Sequence, residues 1–189
     1  MKNVSMMALF MLLFAACQQD PNELATPVAQ DHLAKKSQST REFRGNLSSS
    51  VNTDPSIPLT ACSGDIPEFG VPDHFLAGQA LHIGNLNSAL STLHHDDCNI
   101  SVATMLLTTA VSGQLAAANG DLIYYSGDDE IDVSALLTQS GTTGSISGTW
   151  TINGGTGRFE NASGSFTING VVDFVTGTFT ALAEGTITY

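Results

Sequence analysis

Two alternating segments joined by a glycine-rich sequence place the strongest constraint on the fold. Residues 145–152 put three apolar side chains on one face and hydroxyl groups on the other: Ile146, Trp150 and Ile152. Residues 164–168 repeat this period-two pattern, which is typical of half-buried strands. The sequence between them, Gly-Gly-Thr-Gly-Arg-Phe at 154–159, permits positive φ angles and close backbone approach. We therefore predict a corner in a curved sheet.

Several other segments have strand character. Residues 42–48 are a candidate first strand, and residues 77–84 and 87–91 resemble a strand pair with a break at Gly84-Asn85. Residues 105–117 place alternate apolar side chains on one face, and Asn119-Gly120 follows them. A helix is possible over 105–117, but the threonine content and the Asn-Gly pair favour a strand entering a tight hairpin, from which residues 122–125 return.

Charge excludes one class of partner. The chain has 189 residues, enough for one domain of ordinary size with short appendages. After Arg44 its only lysine or arginine is Arg158, whereas acidic residues continue to Glu184. Because phosphate backbones are bound by Lys and Arg, we expect no nucleic-acid partner and little attraction to anionic headgroups.

The amino terminus has the pattern of a secretory signal. Lys2 supplies a positive charge, residues 6–14 are apolar but too few to span a bilayer, and two alanines precede Cys17. The arrangement resembles the lipobox of bacterial lipoproteins, in which this cysteine is acylated. An ordinary cleaved signal with a chance cysteine is the alternative. Acylation of Cys17 would anchor the protein to the lipid bilayer, and the following Gln18 favours the outer membrane of the cell envelope.

Composition then divides the chain into three parts. We assign residues 1–16 to a lipoprotein signal peptide, 17–40 to a flexible polar tether and 41–189 to a β-barrel domain. A short amphipathic helix within 31–36 is an alternative for part of the tether.

Cys62 and Cys98 remain once Cys17 is assigned to lipid. In a compartment that permits disulfides, we expect them to pair and to staple a long irregular loop. Two unlinked buried thiols are the alternative. A catalytic cysteine is disfavoured, because neither residue has an activating base beside it in the sequence.

Two polar clusters could bind metal ions. His94-His95-Asp96-Asp97 contains transition-metal ligands, but neighbouring residues of an extended chain point to opposite faces, so a solvated hairpin tip is favoured. Residues 127–132 gather four acidic side chains without the spacing of an EF-hand loop. An acidic loop facing water is favoured there over a calcium site or an acid–base pair. We predict no metal and no cofactor.

A family resemblance extends over residues 41–189. The sequence from Gly154 to Phe159, then Ala162-x-Gly164, Asp173-x-x-Thr176-Gly177 and the closing strand to Tyr189 resemble the end of dirigent proteins and allene oxide cyclases. The elements His82-Ile83-Gly84 and Ala118-Asn119-Gly120-Asp121 are similar to those of their bacterial relatives.

The resemblance implies an all-β, calycin-like fold, an eight-stranded antiparallel barrel. Such a barrel can be filled by side chains or can hold one small ligand. Glycine-led repeats would place Trp150, Phe166 and Phe179 on one face. Glu42 and Arg44 lie near the position, in chain order, of the cavity groups in these families, but the motifs identify no catalytic residue.

Two functional hypotheses follow. In the first, a non-catalytic envelope lipoprotein binds a small apolar ligand or a partner; in the second, an isomerase or cyclase acts on a lipid-like substrate. Candidate polar groups of a pocket are Asn119, Asp121, Tyr124 and Arg158. The alternatives are that the Asn and Asp form the turn and that Arg158 pairs with a carboxylate. No Gly-x-Ser-x-Gly or phosphate-binding motif is present.

Overall fold

A computed structural model describes residues 38–189, so the predicted signal peptide, Cys17 and nearly all of the predicted tether lie outside the described residues. The described chain is built almost entirely of strands. In order they are β1 (Thr40–Val51), β2 (Thr60–Ala61), β3 (Ser63–Gly64), β4 (Gly70–Val71), β5 (His74–Ala80), β6 (Gly84–Asn85), β7 (Thr92–His95), β8 (Asn99–Ser101), β9 (Leu106–Ala116), β10 (Leu122–Asp132), β11 (Thr143–Gly155), β12 (Ser163–Asp173) and β13 (Thr178–Thr188). A short helix, α1 (Ser134–Leu137), and a 3₁₀ turn, Gly157–Phe159, complete the secondary structure. Within residues 38–189, no helix is both long enough and apolar enough to cross a membrane.

Eight of the strands close into an antiparallel barrel. Their order around the barrel is β9-β10-β11-β12-β13-β1-β5-β7, and β7 pairs with β9 to complete the ring. Closure leaves no free edge along these strands, which removes a site for unwanted pairing. The prediction of an all-β, eight-stranded antiparallel barrel is confirmed.

The alternating pattern in β11 defines the barrel interior. Ile146, Trp150 and Ile152 are all buried, as their period-two spacing predicts. Phe166 and Phe179, from the neighbouring strands β12 and β13, are buried as well. The predicted apolar face of the carboxyl-terminal half is therefore confirmed.

The strand and hairpin predicted from residues 105–125 are also confirmed. β9 and β10 pair in register from Leu106–Asp132 at one end to Ala116–Leu122 at the other. Gly120 lies in the connecting turn with φ of 89°, a conformation that glycine adopts without steric cost.

The first half of the barrel departs from prediction in one place. β5 spans His74–Ala80, and Gly84-Asn85, predicted as a break, forms the short strand β6 that pairs back onto it. The prediction of a strand at 87–91 is wrong, because this segment is a turn in which the amide of Ser91 donates to the carbonyl of Asn87. The Asn87 side chain also accepts from the amide of Ala89, a local bond that competes with strand pairing.

The glycine-rich corner closes one end of the barrel. After β11 the chain forms the 3₁₀ turn Gly157–Phe159, which buries Phe159 completely. The Phe159 ring meets the ring of Tyr189 edge to face, with centroids 5.0 Å apart. Two aromatic side chains therefore pack together at this end.

Candidate functional site

An aromatic layer fills the middle of the barrel. The rings of Tyr125 and Trp150 are stacked with centroids 4.4 Å apart, and Phe43 stacks on Phe166 at the same distance. Trp150 also meets Phe166 edge to face. The Tyr125 hydroxyl donates to the carbonyl oxygen of Thr92, which satisfies the one polar atom of that ring.

A cavity of about 280 Å³ occupies the other end of the interior. Six strands each contribute an apolar side chain to its barrel wall: Leu93, Leu107, Ile131, Ile146, Val172 and Phe179. Val133, Leu136 and Phe174 add apolar surface from the connections between strands. Ligand cavities in proteins are typically apolar and about 300–1,000 Å³ in size, so this one suits a small molecule.

A flap, residues 60–72, forms one side of the cavity with Phe69, Gly70, Val71 and Pro72. β2 and β4 pair within the flap as a separate two-stranded sheet. A disulfide between Cys62 and Cys98 joins the flap to the chain that leads into β8. Next to it, the amide of Ser63 donates to the carbonyl oxygen of Cys98 at 2.7 Å. The flap is thus held by one covalent bond and by backbone pairing.

Of the carboxylates in the described part of the chain, only Asp129 lines the cavity. It lies on β10, is 1% exposed, and its Oδ1 accepts a 2.8 Å hydrogen bond from Nε1 of Trp150. Burial raises the pKa of the carboxyl to about 7; the Trp150 hydrogen bond opposes the shift and the charge of Asp128 adds to it. Gly148 stands opposite on β11, where a Cβ would collide with Oδ1 of Asp129. Oδ2 of Asp129 has no hydrogen-bond partner among the described residues.

The acidic cluster therefore differs from its predicted form. Residues 127–132 lie within strand β10 and do not form a loop, and one of their four carboxylates faces inward. The signal was present in the sequence, because the inward positions Ile123 and Tyr125 continue by alternation to Asp129 and Ile131. The pattern is hard to recognise because the acidic side chains around Asp129 suggest a solvent-facing loop.

Two histidines join Asp129 in the cavity lining. Burial lowers the pKa of His74 to about 4, against the opposing effect of the Asp73 charge. Burial, together with the nearby His74, lowers the pKa of His95 to about 4 as well. The rings lie edge to face with centroids 5.7 Å apart. Both imidazoles are consequently neutral at pH 7.

The two histidines differ in their hydrogen bonding. Nδ1 of His95 lies 3.0 Å from the hydroxyl of Thr109, which donates to a backbone carbonyl and so accepts from the imidazole. Nδ1 of His74 is buried and has no hydrogen-bond partner in the part of the chain that the structure describes. His74 therefore has unused hydrogen-bonding capacity, like Asp129.

The predicted hairpin tip at 94–97 is wrong in part. His94 and His95 lie in β7, and only His95 reaches the cavity, since adjacent strand residues point to opposite faces. His94 instead pairs with Asp73, Nδ1 to Oδ2 at 2.6 Å. Asp96 and Asp97 are exposed and accept from Ser112 and from the amide of Ala110.

None of the four predicted pocket groups lines this cavity. Asn119 and Asp121 lie in the β9–β10 hairpin at the opposite end of the barrel, where the Asn119 amide donates to Oδ2 of Asp121 at 2.9 Å. Arg158 pairs with the same carboxylate, with Nε 3.7 Å from Oδ2. Tyr124 is 39% exposed on the outer face. Their contacts match the alternative of a turn and an ion pair.

The two residues that chain order placed near the family's cavity groups lie on the outer surface of β1. Glu42 and Arg44 are exposed, and Nε of Arg44 lies 3.3 Å from a carboxylate oxygen of Glu184. Within the described residues, no group of three or more His, Cys, Asp and Glu side chains is placed to hold a metal ion.

Comparison of the chain with protein-family models, curated proteins and solved structures finds no match.

Proposed function

We propose that this barrel binds a small, mostly apolar molecule in the cavity between the aromatic layer and the flap. The observation that carries the proposal is a cavity of about 280 Å³, lined mainly by apolar side chains, inside a closed barrel. A closed eight-stranded barrel has room for one such ligand. Burial of the ligand's apolar surface would supply the binding free energy.

The test is a titration with N-phenyl-1-naphthylamine, an uncharged fluorophore that brightens in apolar surroundings. Val172 lines the cavity and Val171, next to it on β12, is 51% exposed on the outside. We expect Val172→Phe to fill part of the chamber. Because the probe then has less room, its binding should weaken by about tenfold or more. Val171→Phe should leave the affinity unchanged. Equal affinity of both variants would place the probe elsewhere and contradict the proposal.

A second candidate function, isomerisation or cyclisation of a lipid-like substrate, is favoured by Asp129. A buried carboxyl whose pKa is about 7 is suited to donate or accept a proton near neutral pH. Incubation with an allene oxide methyl ester tests this, because uncatalysed cyclisation gives a racemic product. We expect an enantiomeric excess with the native chain and its loss with Asp129→Asn. A racemic product from both proteins would remove this candidate.

The place of action that we propose rests on the amino-terminal sequence alone. Acylation of Cys17 would hold the barrel at the outer membrane through the 17–40 tether. Metabolic labelling with a fatty-acid analogue tests this in a bacterial host. Label should enter the native chain and be absent from Cys17→Ser, and incorporation into both would contradict acylation at this residue.

A further inference from the structure

Two buried polar atoms at the cavity lack partners. Oδ2 of Asp129 and Nδ1 of His74 make no hydrogen bond to any atom of residues 38–189, although their residues are only 1% and 6% exposed. An unsatisfied buried polar atom costs about 1–3 kcal/mol, so proteins rarely retain one without a use. Both residues line the same cavity, so a rotation of either side chain about its terminal bond would turn the unpartnered atom toward an occupant.

The surroundings of these atoms disfavour an anionic occupant. Among residues 38–189, no lysine or arginine lines the cavity. The three arginines of the described chain are engaged elsewhere: Arg44 with Glu184, Arg158 with Asp121, and Arg41 over the ring of Tyr189. A carboxylate placed in the chamber would be buried without a counter-charge and beside Asp129, and such burial is strongly unfavourable.

A cationic occupant is also a poor fit. An ammonium group is strongly hydrated and brings three donors, and a lining that is mostly apolar would leave much of that hydration unreplaced. Within residues 38–189, Asp129 receives one hydrogen bond, from Trp150, and burial keeps the carboxyl partly protonated near neutral pH. A hydroxyl group has one donor and two acceptor positions, which matches a protonated or ionised carboxyl and either tautomer of an imidazole.

Building on the proposed ligand binding, we propose that the occupant is an uncharged, mostly apolar alcohol whose hydroxyl end hydrogen-bonds to Oδ2 of Asp129 and Nδ1 of His74. The apolar remainder lies against the aliphatic wall. The protonation states agree with this arrangement, because burial holds the pKa of Asp129 at about 7 and that of His74 at about 4. Near neutral pH the site can form this network without a net charge.

The test uses four molecules with one naphthalene skeleton, measured by displacement of N-phenyl-1-naphthylamine at neutral pH. They are 2-naphthalenemethanol, 2-methylnaphthalene, 2-naphthoic acid and 2-naphthalenemethylamine. We expect the alcohol to bind about tenfold more tightly than the hydrocarbon, the gain from satisfying buried hydrogen-bonding atoms. The acid and the amine should each bind at least about tenfold more weakly than the alcohol.

Variants identify the side chains that hydrogen-bond to the hydroxyl group of the ligand. Asp129→Leu and, separately, His74→Leu should reduce the preference for the alcohol over the hydrocarbon while the hydrocarbon still binds. Asp129→Asn, which keeps a polar side chain, should retain part of the preference. Asp128→Asn is the matched control, since Asp128 is exposed on the same strand, and it should behave like the native chain.

Three results distinguish a failure of this inference from a failure of the proposed function on which it rests. If alcohol and hydrocarbon bind equally well, the inference is overturned and apolar binding stands. If the acid or the amine binds most tightly, the inference is likewise overturned. If neither the fluorophore nor any of the four molecules binds, the proposed function fails, and the inference fails with it.

Discussion

Nε1 of Trp150 donates a 2.8 Å hydrogen bond to Oδ1 of Asp129 across the β10–β11 pair. The bond joins the aromatic layer to the cavity and leaves only Oδ2 of the carboxyl free. Trp150 is also the single tryptophan of the chain. Its fluorescence therefore reports on the cavity without an added label.

Replacing Asp129 should change how stability depends on pH. The folded-state pKa of about 7 lies above the ordinary value of 3.8. The carboxyl's contribution to the unfolding free energy is therefore fully present below about pH 4 and is lost as the pH rises through 7. Relative to Asp129→Asn, the native chain should lose on the order of 4 kcal/mol of unfolding free energy between these pH values. Urea unfolding at several pH values measures this. A difference that stays constant with pH, or that Asp128→Asn reproduces, would contradict the assignment.

Replacing His74 should have the opposite pH signature. Its folded-state pKa of about 4 lies below the ordinary value of 6.5. The contribution of His74 to the unfolding free energy is therefore fully present above pH 6.5 and is lost as the pH falls through 4. The native chain should lose on the order of 3 kcal/mol relative to His74→Phe over that fall. His82→Asn is the control, because the left-handed backbone at His82 suits Asn. Equal acid sensitivity of native chain and His74→Phe would show that His74 is not buried as a neutral group.

Adding one methyl group at Gly148 should displace the side chain of Asp129. A Cβ there collides with Oδ1 of Asp129, whereas a Cβ at Gly141 makes only an ordinary contact with Ala135, 3.4 Å away. We expect Gly148→Ala to lower the unfolding free energy by about 1–3 kcal/mol and to shift the Trp150 emission. Gly141→Ala should stay within about 0.5 kcal/mol of the native value. Similar effects of the two substitutions would contradict the close packing of Asp129 against β11.

Removing the disulfide should loosen the flap. The double variant Cys62→Ser/Cys98→Ser releases a constraint over a sequence separation of 36 residues. Chain entropy predicts a loss of about 3–4 kcal/mol of unfolding free energy. Because the flap lines the cavity, bound N-phenyl-1-naphthylamine should also dissociate faster, which stopped-flow fluorescence measures. Treating the native chain with a thiol reductant should reproduce both changes, and an unchanged dissociation rate in both cases would exclude a role for the flap in retaining ligand.

The barrel could be predicted from the sequence because its signals are local. The alternation through Trp150 and the Asn119-Gly120 hairpin depend on residues within one or two strands, and the structure preserves them. The segment at 87–91 was predicted incorrectly because its apolar residues suggested a strand, while the side chain of Asn87 satisfies the backbone of a turn.

The site was harder to predict because it depends on contacts between distant strands. Asp129 resembles its exposed neighbours in charge, and only the register of β10, set by Tyr125 and its neighbours, turns it inward. His74 is 55 positions before Asp129 in the sequence, and the two meet at one cavity only because the barrel closes. Asn119 and Arg158 are polar groups near glycine-rich motifs, and those motifs lie at the end of the barrel opposite the cavity, where both side chains contact Asp121.

The most direct test of a ligand chamber at this end of the barrel is a crystal structure with 2-naphthalenemethanol bound. The account predicts density for the ring system against Leu107, Ile146 and Val172, with the hydroxyl oxygen about 2.5–3.2 Å from both Asp129 and His74. A barrel interior filled by its own side chains, or an alcohol bound only on the outer surface, would contradict it.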